Sequence, residues 1–274
     1  MFAKEKLKDK VVLVTGASSG IGWATAIAFA QKGCRVALAA RRVNKLEELS
    51  RKIQSEGATA LVLACDVSNS SQVRSVVQKT IDTWGRVDYL INNAGYDNSR
   101  PLTDLDLATL EKIIDTNLMG TIYMTHTLLP HMRKHGSGHI VNVSSINGLV
   151  GLPYKAAYCA SKFGVVGFTQ ALRAELRGTG ITLTAFCPGT VSTPMTEEVL
   201  KNRKLVMAIR PKSAEQVARV IVKCCLKKTP EKIYGEVPGL LIKLLQLCPG
   251  FADWLSYTAV RIFRPFKFHA APRS

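Results

Sequence analysis

Tyr158 and Lys162 lie four residues apart, a spacing suited to moving a proton. They open a segment, 157–176, whose pattern predicts a helix, and an i, i+4 pair shares one helical face. A phenol with an ordinary pKa of about 10 is a poor acid–base group at neutral pH, but a neighbouring ammonium favours the phenolate and brings proton exchange into range. A second kind of chemistry is written near the start of the chain. The run TGASSGIG, residues 15–22, sets Gly16, Ser18, Ser19, Gly20, Ile21 and Gly22 between a predicted strand and a predicted helix. Glycines there let the backbone turn sharply and approach a pyrophosphate, whose charge the helix-start N–H groups receive. The spacing is Gly-xxx-Gly-x-Gly, not the Gly-x-Gly-xx-Gly of two-glycine-turn dinucleotide folds.

A dinucleotide site of the NAD type needs an acid at the end of the second strand to accept from the ribose 2′-hydroxyl. This chain reads Ala39-Ala40-Arg41-Arg42 there. Guanidinium groups match the charge and geometry of a 2′-phosphate, which favours NADP(H), with Arg41 ahead of Arg42 as the contact.

The elements that must hold these groups alternate. Apolar runs at 11–15, 35–40, 60–65, 89–92, 139–144 and 182–187 predict strands. Amphipathic stretches at 22–32, 43–56, 70–84, 107–135, 157–176 and 213–227 predict helices, the last opened by a capping box of Ser213 and Gln216. The expected fold class is α/β: a single doubly wound parallel-sheet Rossmann domain in three layers, α/β/α, with ligands at the carboxyl ends of the strands. The domain reading is 1–238 for this unit and 239–274 for an amphipathic C-terminal helical extension.

At this point the chain resembles the short-chain dehydrogenase/reductase family, through TGASSGIG, Asn92-Asn93-Ala94-Gly95, Asn117, Ser144-Ser145, Tyr158-xxx-Lys162 and Pro188-Gly189, across residues 8–195. The resemblance implies an NADP-dependent oxidoreductase acting on CH–OH groups. Tyr158 would exchange the alcohol proton, Lys162 would lower its pKa and hold the nicotinamide ribose, Ser145 would hydrogen-bond the substrate carbonyl, and Asn117 would hold a water linked to Lys162. Asp66 and Val67 would flank the adenine, and Asn93, beside Ala94 and Gly95, would support the central strands. The segment Pro188-Gly189-Thr190-Val191-Ser192-Thr193 would receive the carboxamide, with Thr193 as its hydroxyl. The resemblance also implies a homo-oligomer, dimer or tetramer, built on the long helices.

Substrate choice falls to the loops 96–101, 147–154 and 193–210, whose apolar content predicts a lipophilic ketone or aldehyde such as a steroid, retinoid or fatty-acyl compound. The ending Tyr234-Gly-Glu-Val-Pro-Gly-Leu-Leu departs from the Val-Asp-Gly-Gly-like close of 3-oxoacyl-carrier-protein reductases, which stand as the alternative. A non-catalytic dinucleotide-binding module is a further alternative, weakened by the intact Asn117, Ser145, Tyr158 and Lys162 set.

The formal charge is +17, and residues 199–274 carry 15 basic against 4 acidic groups, so +11 of it is C-terminal. Two apolar, basic segments, 240–248 and 254–263, followed by Arg264 and Lys267, resemble the extensions of hydroxysteroid-dehydrogenase-like and other lipid-handling members. Membrane-surface docking, a cover for the domain and a subunit interface all remain open for them. No nucleic-acid motif accompanies the charge, the seven cysteines and five histidines show no metal-ligand spacing, and no metal is expected. The charged start MFAKEKLKDK contains no apolar leader, so the expected location is cytoplasmic, with a peripheral membrane position open.

Overall fold

The computed structural model describes residues 7–263; the expectations for residues 1–6 and 264–274, including Arg264 and Lys267, lie outside them. Six strands fall where the sequence expects them: β1 (Val11–Thr15), β2 (Arg35–Ala40), β3 (Thr59–Ala64), β4 (Tyr89–Asn92), β5 (Gly138–Val143) and β6 (Ile181–Pro188). The short β7 (Val191–Ser192) and β8 (Lys212–Ser213) pair with each other, and β9 (Glu231–Tyr234) closes the main sheet. That sheet is seven-stranded with the order β3-β2-β1-β4-β5-β6-β9 and every pairing parallel. The order reverses between β1 and β4, so the loops leaving those two strands diverge and open a crevice.

The two faces of β1 explain the layers. Side chains alternate along a strand, so Val12 and Val14 enter one core with Phe29, Leu46 and Ile221, while Val11 and Leu13 enter the other with Val77, Met124 and Leu128. Helices α1 (Gly20–Ala30), α2 (Val43–Ser55) and α9 (Ala214–Lys227) cover the first face. Helix α2 buries Leu46, Leu49, Ser50 and Ile53, the i, i+3, i+4, i+7 stripe of an amphipathic helix. Helices α3 (Ser70–Trp84), α5 (Gly120–Lys134) and α6 (Ala156–Glu175) cover the second. The α9 capping box forms as expected, with Gln216 N–H on Ser213 Oγ at 3.2 Å and Ser213 N–H on Gln216 Oε1 at 2.9 Å.

Two features go beyond what the sequence marks. The helix expected over 107–135 forms, as α4 (Leu107–Ile114) and α5 joined without a break by a wide π turn, Asp115–Met119. The extra residue turns Asn117 fully inward, where its side chain bonds a neighbouring loop instead of solvent. The main sheet also gains a seventh strand that the sequence does not mark. Glu231–Tyr234 pairs with Ala185–Pro188, although its two charged residues hide a strand pattern.

Beyond the sheet, α7 (Glu197–Leu200) and α8 (Arg203–Ile209) lead into α9, while α10 (Gly239–Leu247) and α11 (Pro249–Phe263) form the C-terminal extension. Ile242 of α10 is buried with Leu149, Val166 and Cys187, so this helix packs on the domain through a small cluster beside the two main cores. Lys243 anchors it to Glu231 of the edge strand at 2.8 Å. Among the described residues no helix is long and apolar enough to cross a membrane.

Candidate active site

The crevice between β1 and β4 is lined by the phosphate loop, the end of β2 and the segments 65–67, 93–95, 143–145 and 188–196, together with Tyr158 and Lys162. The glycines of TGASSGIG are needed one by one. Gly16 and Gly20 have φ of +65° and +55°, and a Cβ on Gly16 would fall 2.8 Å from the Ala94 Cα. A Cβ on Gly22 would strike the Gly16 carbonyl, so the first turn of α1 folds tightly against the loop it follows. Asn93 fastens the arrangement by donating from Nδ2 to the Thr15 carbonyl at 3.0 Å, while Thr15 Oγ1 accepts from the N–H groups of Asn93 and Ala94 at 2.9 and 3.0 Å.

The start of α1 has no side-chain cap and no acidic residue in its first turn. Its N–H groups therefore remain donors for an anion, and the positive end of the helix dipole points the same way. A pyrophosphate fits this cradle.

The two arginines after β2 take different positions. Arg42 reaches back to the loop, with Nη2 on Ser18 Oγ at 2.9 Å and on Ser19 Oγ at 2.7 Å. Arg41, its side chain 57% exposed, leans toward Asp66 at 3.7 Å. Asp66 in turn accepts from the backbone and hydroxyl of Ser68 at 3.1 and 2.7 Å, which fixes the turn after β3, with Val67 buried beside it against Gly120.

At the other end of the crevice, Tyr158 and Lys162 project from α6 beside Ser144 and Ser145 at the end of β5. Ser145 Oγ accepts from the Asn147 N–H at 3.1 Å, and Ser145 also hydrogen-bonds Tyr158. Ser144 instead donates to the Lys162 carbonyl at 2.8 Å, a structural bond that ties β5 to α6. Asn117 accepts from the Tyr96 N–H at 2.7 Å and donates to the Tyr96 carbonyl and to Ser161 Oγ, both at 2.9 Å. A Cβ on Gly95 would lie 3.4 Å from Asn117 Oδ1 and 3.7 Å from Lys162 Nζ, so both polar tips converge on this glycine.

The electrostatics differ from the sequence expectation. Burial, with the Asp97 carboxylate second, pushes the Tyr158 phenol well above its ordinary range. Lys162 is buried too, and desolvation lowers it to about 8 against the raising effects of Asp97 and Cys187. Its Nζ bonds the Val143 carbonyl at 3.0 Å and stands 5.7 Å from the centre of the Tyr158 ring, so in this arrangement the ammonium does not overcome the cost of burying a phenolate.

The turn after β6 completes the wall. Thr193 covers the phosphate loop, with its Cγ2 3.0 Å from where a Cβ on Gly20 would stand, and its Oγ1 shares a contact with Thr196 Oγ1 at 3.3 Å. Three residues with no local sequence signal join the site. Glu236 accepts from the Thr190 N–H at 3.0 Å and from Thr190 Oγ1 at 3.0 Å, holding the Pro188-Gly189-Thr190 turn. Asp97 and Lys155 form a part-buried ion pair beside Tyr158. The extension reaches the loops expected to choose substrate, with Ser256 donating to the Gly151 carbonyl at 3.0 Å and Asn202 donating to the Phe263 carbonyl.

Comparison with known proteins agrees with this geometry. The sequence pattern of the short chain dehydrogenase family matches residues 10–204. The ketoacyl reductase HetN of Nostoc is 36% identical over 268 residues, covering 95% of this chain and 90% of that protein. The 3-oxoacyl-[acyl-carrier-protein] reductase FabG of Thermotoga maritima is 36% identical over 240 residues, covering 86% and 97%. A crystal structure from Sinorhizobium meliloti assigned to the short-chain alcohol dehydrogenases superposes with a TM-score of 0.77 at 33% identity, covering 83% of this chain and 94% of that one. A Gly-rich turn under a bare helix start, a Tyr–Lys pair beside a serine and a doubly wound parallel sheet thus occur together in a chain that belongs to the short-chain dehydrogenase/reductase family of oxidoreductases.

Proposed function

We propose that the protein is an NADP(H)-dependent reductase or dehydrogenase of a lipophilic ketone or aldehyde and its alcohol. The observation that carries the cofactor choice is the Arg42 guanidinium, forked over Ser18 and Ser19 beside the phosphate loop, at a strand end that offers no carboxylate to a free 2′-hydroxyl. Arg42 is then the principal 2′-phosphate contact and Arg41, drawn toward Asp66, the lesser one. A bound nicotinamide supplies the hydride. Tyr158 gives the substrate oxygen its proton in reduction and takes it in oxidation, Ser145 donates to the same oxygen, and Lys162 holds the ribose and favours the phenolate. Asn117 and Gly95 keep the polar end of the site open beside Lys162.

Met195 lines the crevice with an apolar side chain, and the extension packs through Ile242 against Leu149 and Val150 of the loop after β5. A 3-oxoacyl thioester is a second reading with its own support, since HetN and FabG are described as ketoacyl and 3-oxoacyl reductases and the basic surface would attract an acidic carrier.

The extension leaves Leu240, Leu244 and Leu247 bare along one side of α10, and Phe251 and Trp254 bare on α11. With the C-terminal +11 charge, this face suits an anionic lipid surface more than a second copy of the same basic chain. Oligomerisation through the long helices is part of the proposal, with exposed Phe163 on α6 as an apolar contact. The location proposed is cytoplasmic, against a membrane surface.

The test is NADPH and NADH oxidation by the purified chain against hydrophobic ketones, aldehydes and an acetoacetyl thioester. The expectation is NADPH-dependent turnover of a hydrophobic carbonyl, and a loss of about a thousandfold in Tyr158→Phe with NADPH binding retained. Turnover confined to the thioester selects the second reading, and unchanged turnover in Tyr158→Phe rejects the assigned proton donor.

A further inference from the structure

The Asp97–Lys155 pair is unusual in three respects. Its side chains are only 11% and 13% exposed, far from the solvent-screened state of ordinary surface pairs. Asp97 Oδ2 also accepts from Ser99 Oγ at 3.1 Å, but Oδ1 is buried with no hydrogen-bond partner, a costly condition for a carboxylate oxygen. Lys155 occupies the N-cap of α6, where a cation opposes the helix dipole and where serine, threonine or aspartate would be favoured. The preceding residue, Tyr154, takes a φ of +67°, a backbone state that bulky side chains rarely adopt. The chain therefore departs from local preference at consecutive positions to set Lys155 where it stands, and such departures concentrate at functional sites.

What this placement achieves is proximity to the reacting phenol. Lys155 Nζ stands 5.0 Å from the Tyr158 ring centre, closer than the 5.7 Å of Lys162. Asp97 comes from the loop after β4 and Lys155 from the start of α6, so the pair also joins the two segments that flank the substrate side. We propose that Asp97 and Lys155 are positioning residues that set how readily Tyr158 exchanges its proton, the carboxylate holding the phenol protonated and the ammonium, kept over the ring by that carboxylate, limiting the effect. This rests on Tyr158 being the proton donor.

The groups facing Tyr158 define the balance. Lys162 and Cys159 lie on its own helix, Lys155 at that helix's start, Ser145 on the turn after β5 and Asp97 on the loop after β4. Lys112 of α4 sits over the Tyr96 ring at 4.6 Å, at the edge of the same loop. Asp97 also acts on Lys162, whose ammonium it favours. Removing the carboxylate takes a negative charge away from the phenol and helps the phenolate; removing the ammonium takes a positive charge away from the ring and hinders it. A pair that merely clamped two loops would give variants that respond alike.

The experiment labels the tyrosines with 13C at Cζ and follows the Tyr158 resonance, assigned by its loss in Tyr158→Phe, through the alkaline range in the protein alone and with NADP+. Asp97→Asn is expected to ionise Tyr158 about one pH unit lower than the parent, a tenfold change, Lys155→Met to ionise it higher, and the double variant to return near the parent. Lys155→Arg, which keeps the charge, should retain the parent midpoint. If Asp97→Asn does not fold, the contrast between Lys155→Met and Lys155→Arg carries the test. A Tyr158 resonance that moves in the same direction in both single variants, or that shows no displacement to lower pH in Asp97→Asn, overturns the proposal. Because the resonance reports ionisation and not turnover, it is separate from the Tyr158→Phe assay, which alone decides whether Tyr158 is the donor.

Discussion

Two adjacent arginines with the same chemistry end up in different roles because each points its own way from the end of β2. Arg42 bonds two hydroxyls of the phosphate loop, whereas Arg41 is mostly exposed and approaches only Asp66. Charge-assisted bonds of this kind contribute about 1.5–3 kcal/mol each. Arg42→Ala is therefore expected to weaken NADPH binding roughly tenfold to a hundredfold while leaving NADH nearly unchanged, and Arg41→Ala to weaken it by less. Fluorescence titration of both dinucleotides decides the order, and the reverse ranking would return Arg41 to the leading place. The arginines themselves were plain in the sequence, as were Tyr158 and Lys162. Which guanidinium turns toward Ser18 was not, because no periodic pattern ranks neighbours at a strand end.

Among the elements, the turn from β1 into α1 depends on glycine in a way that can be isolated. Gly22 sits within a helix, so it is the close approach of the Gly16 carbonyl and the Asn93 amide nitrogen, and not its own backbone angles, that forbids a side chain there. Gly22→Ala is expected to cost about 1–3 kcal/mol in urea unfolding and to reduce NADPH affinity, since the loop must open to admit the methyl group. A variant with parent stability and parent affinity would mean that the loop has room to move. The π turn at Asp115–Met119 belongs to the same scale. Its residues read as ordinary helix, and the wide turn arises because Asn117 satisfies both backbone groups of Tyr96 from a distant loop.

For the whole molecule, one buried histidine links stability to pH. His139 is 2% exposed between Thr182 and Thr184, at 2.7 and 3.1 Å, and burial lowers its pKa to about 4. The unfolded chain takes up a proton near the ordinary value of about 6.5 while the folded chain does not, so this contribution is present above that value and is lost as pH falls toward 4. Between about pH 7 and pH 5 the loss should reach about 2 kcal/mol in urea unfolding, and His139→Gln should flatten the slope. Equal slopes in parent and variant would remove His139 from the account. The basic, apolar C-terminal face is also a property of the whole. Salt-sensitive flotation with anionic liposomes, lost when Leu240, Leu244 and Leu247 become serine, is the expected outcome; flotation indifferent to salt or to those changes counts against a lipid surface.

The alternation of strands and helices, the phosphate turn and the Tyr158–Lys162 pair were determined by sequence alone, because each is a local pattern of period two, period 3.6 or contiguous glycine. The tertiary structure decided what those patterns cannot encode. Asp97 meets Lys155 across 58 positions, Glu236 reaches Thr190 across 46, and β9 becomes a strand only because β6 offers it an edge. Contacts of that span leave no periodicity behind, and the balance of burial against charge at Tyr158 exists only once the chain has closed around it.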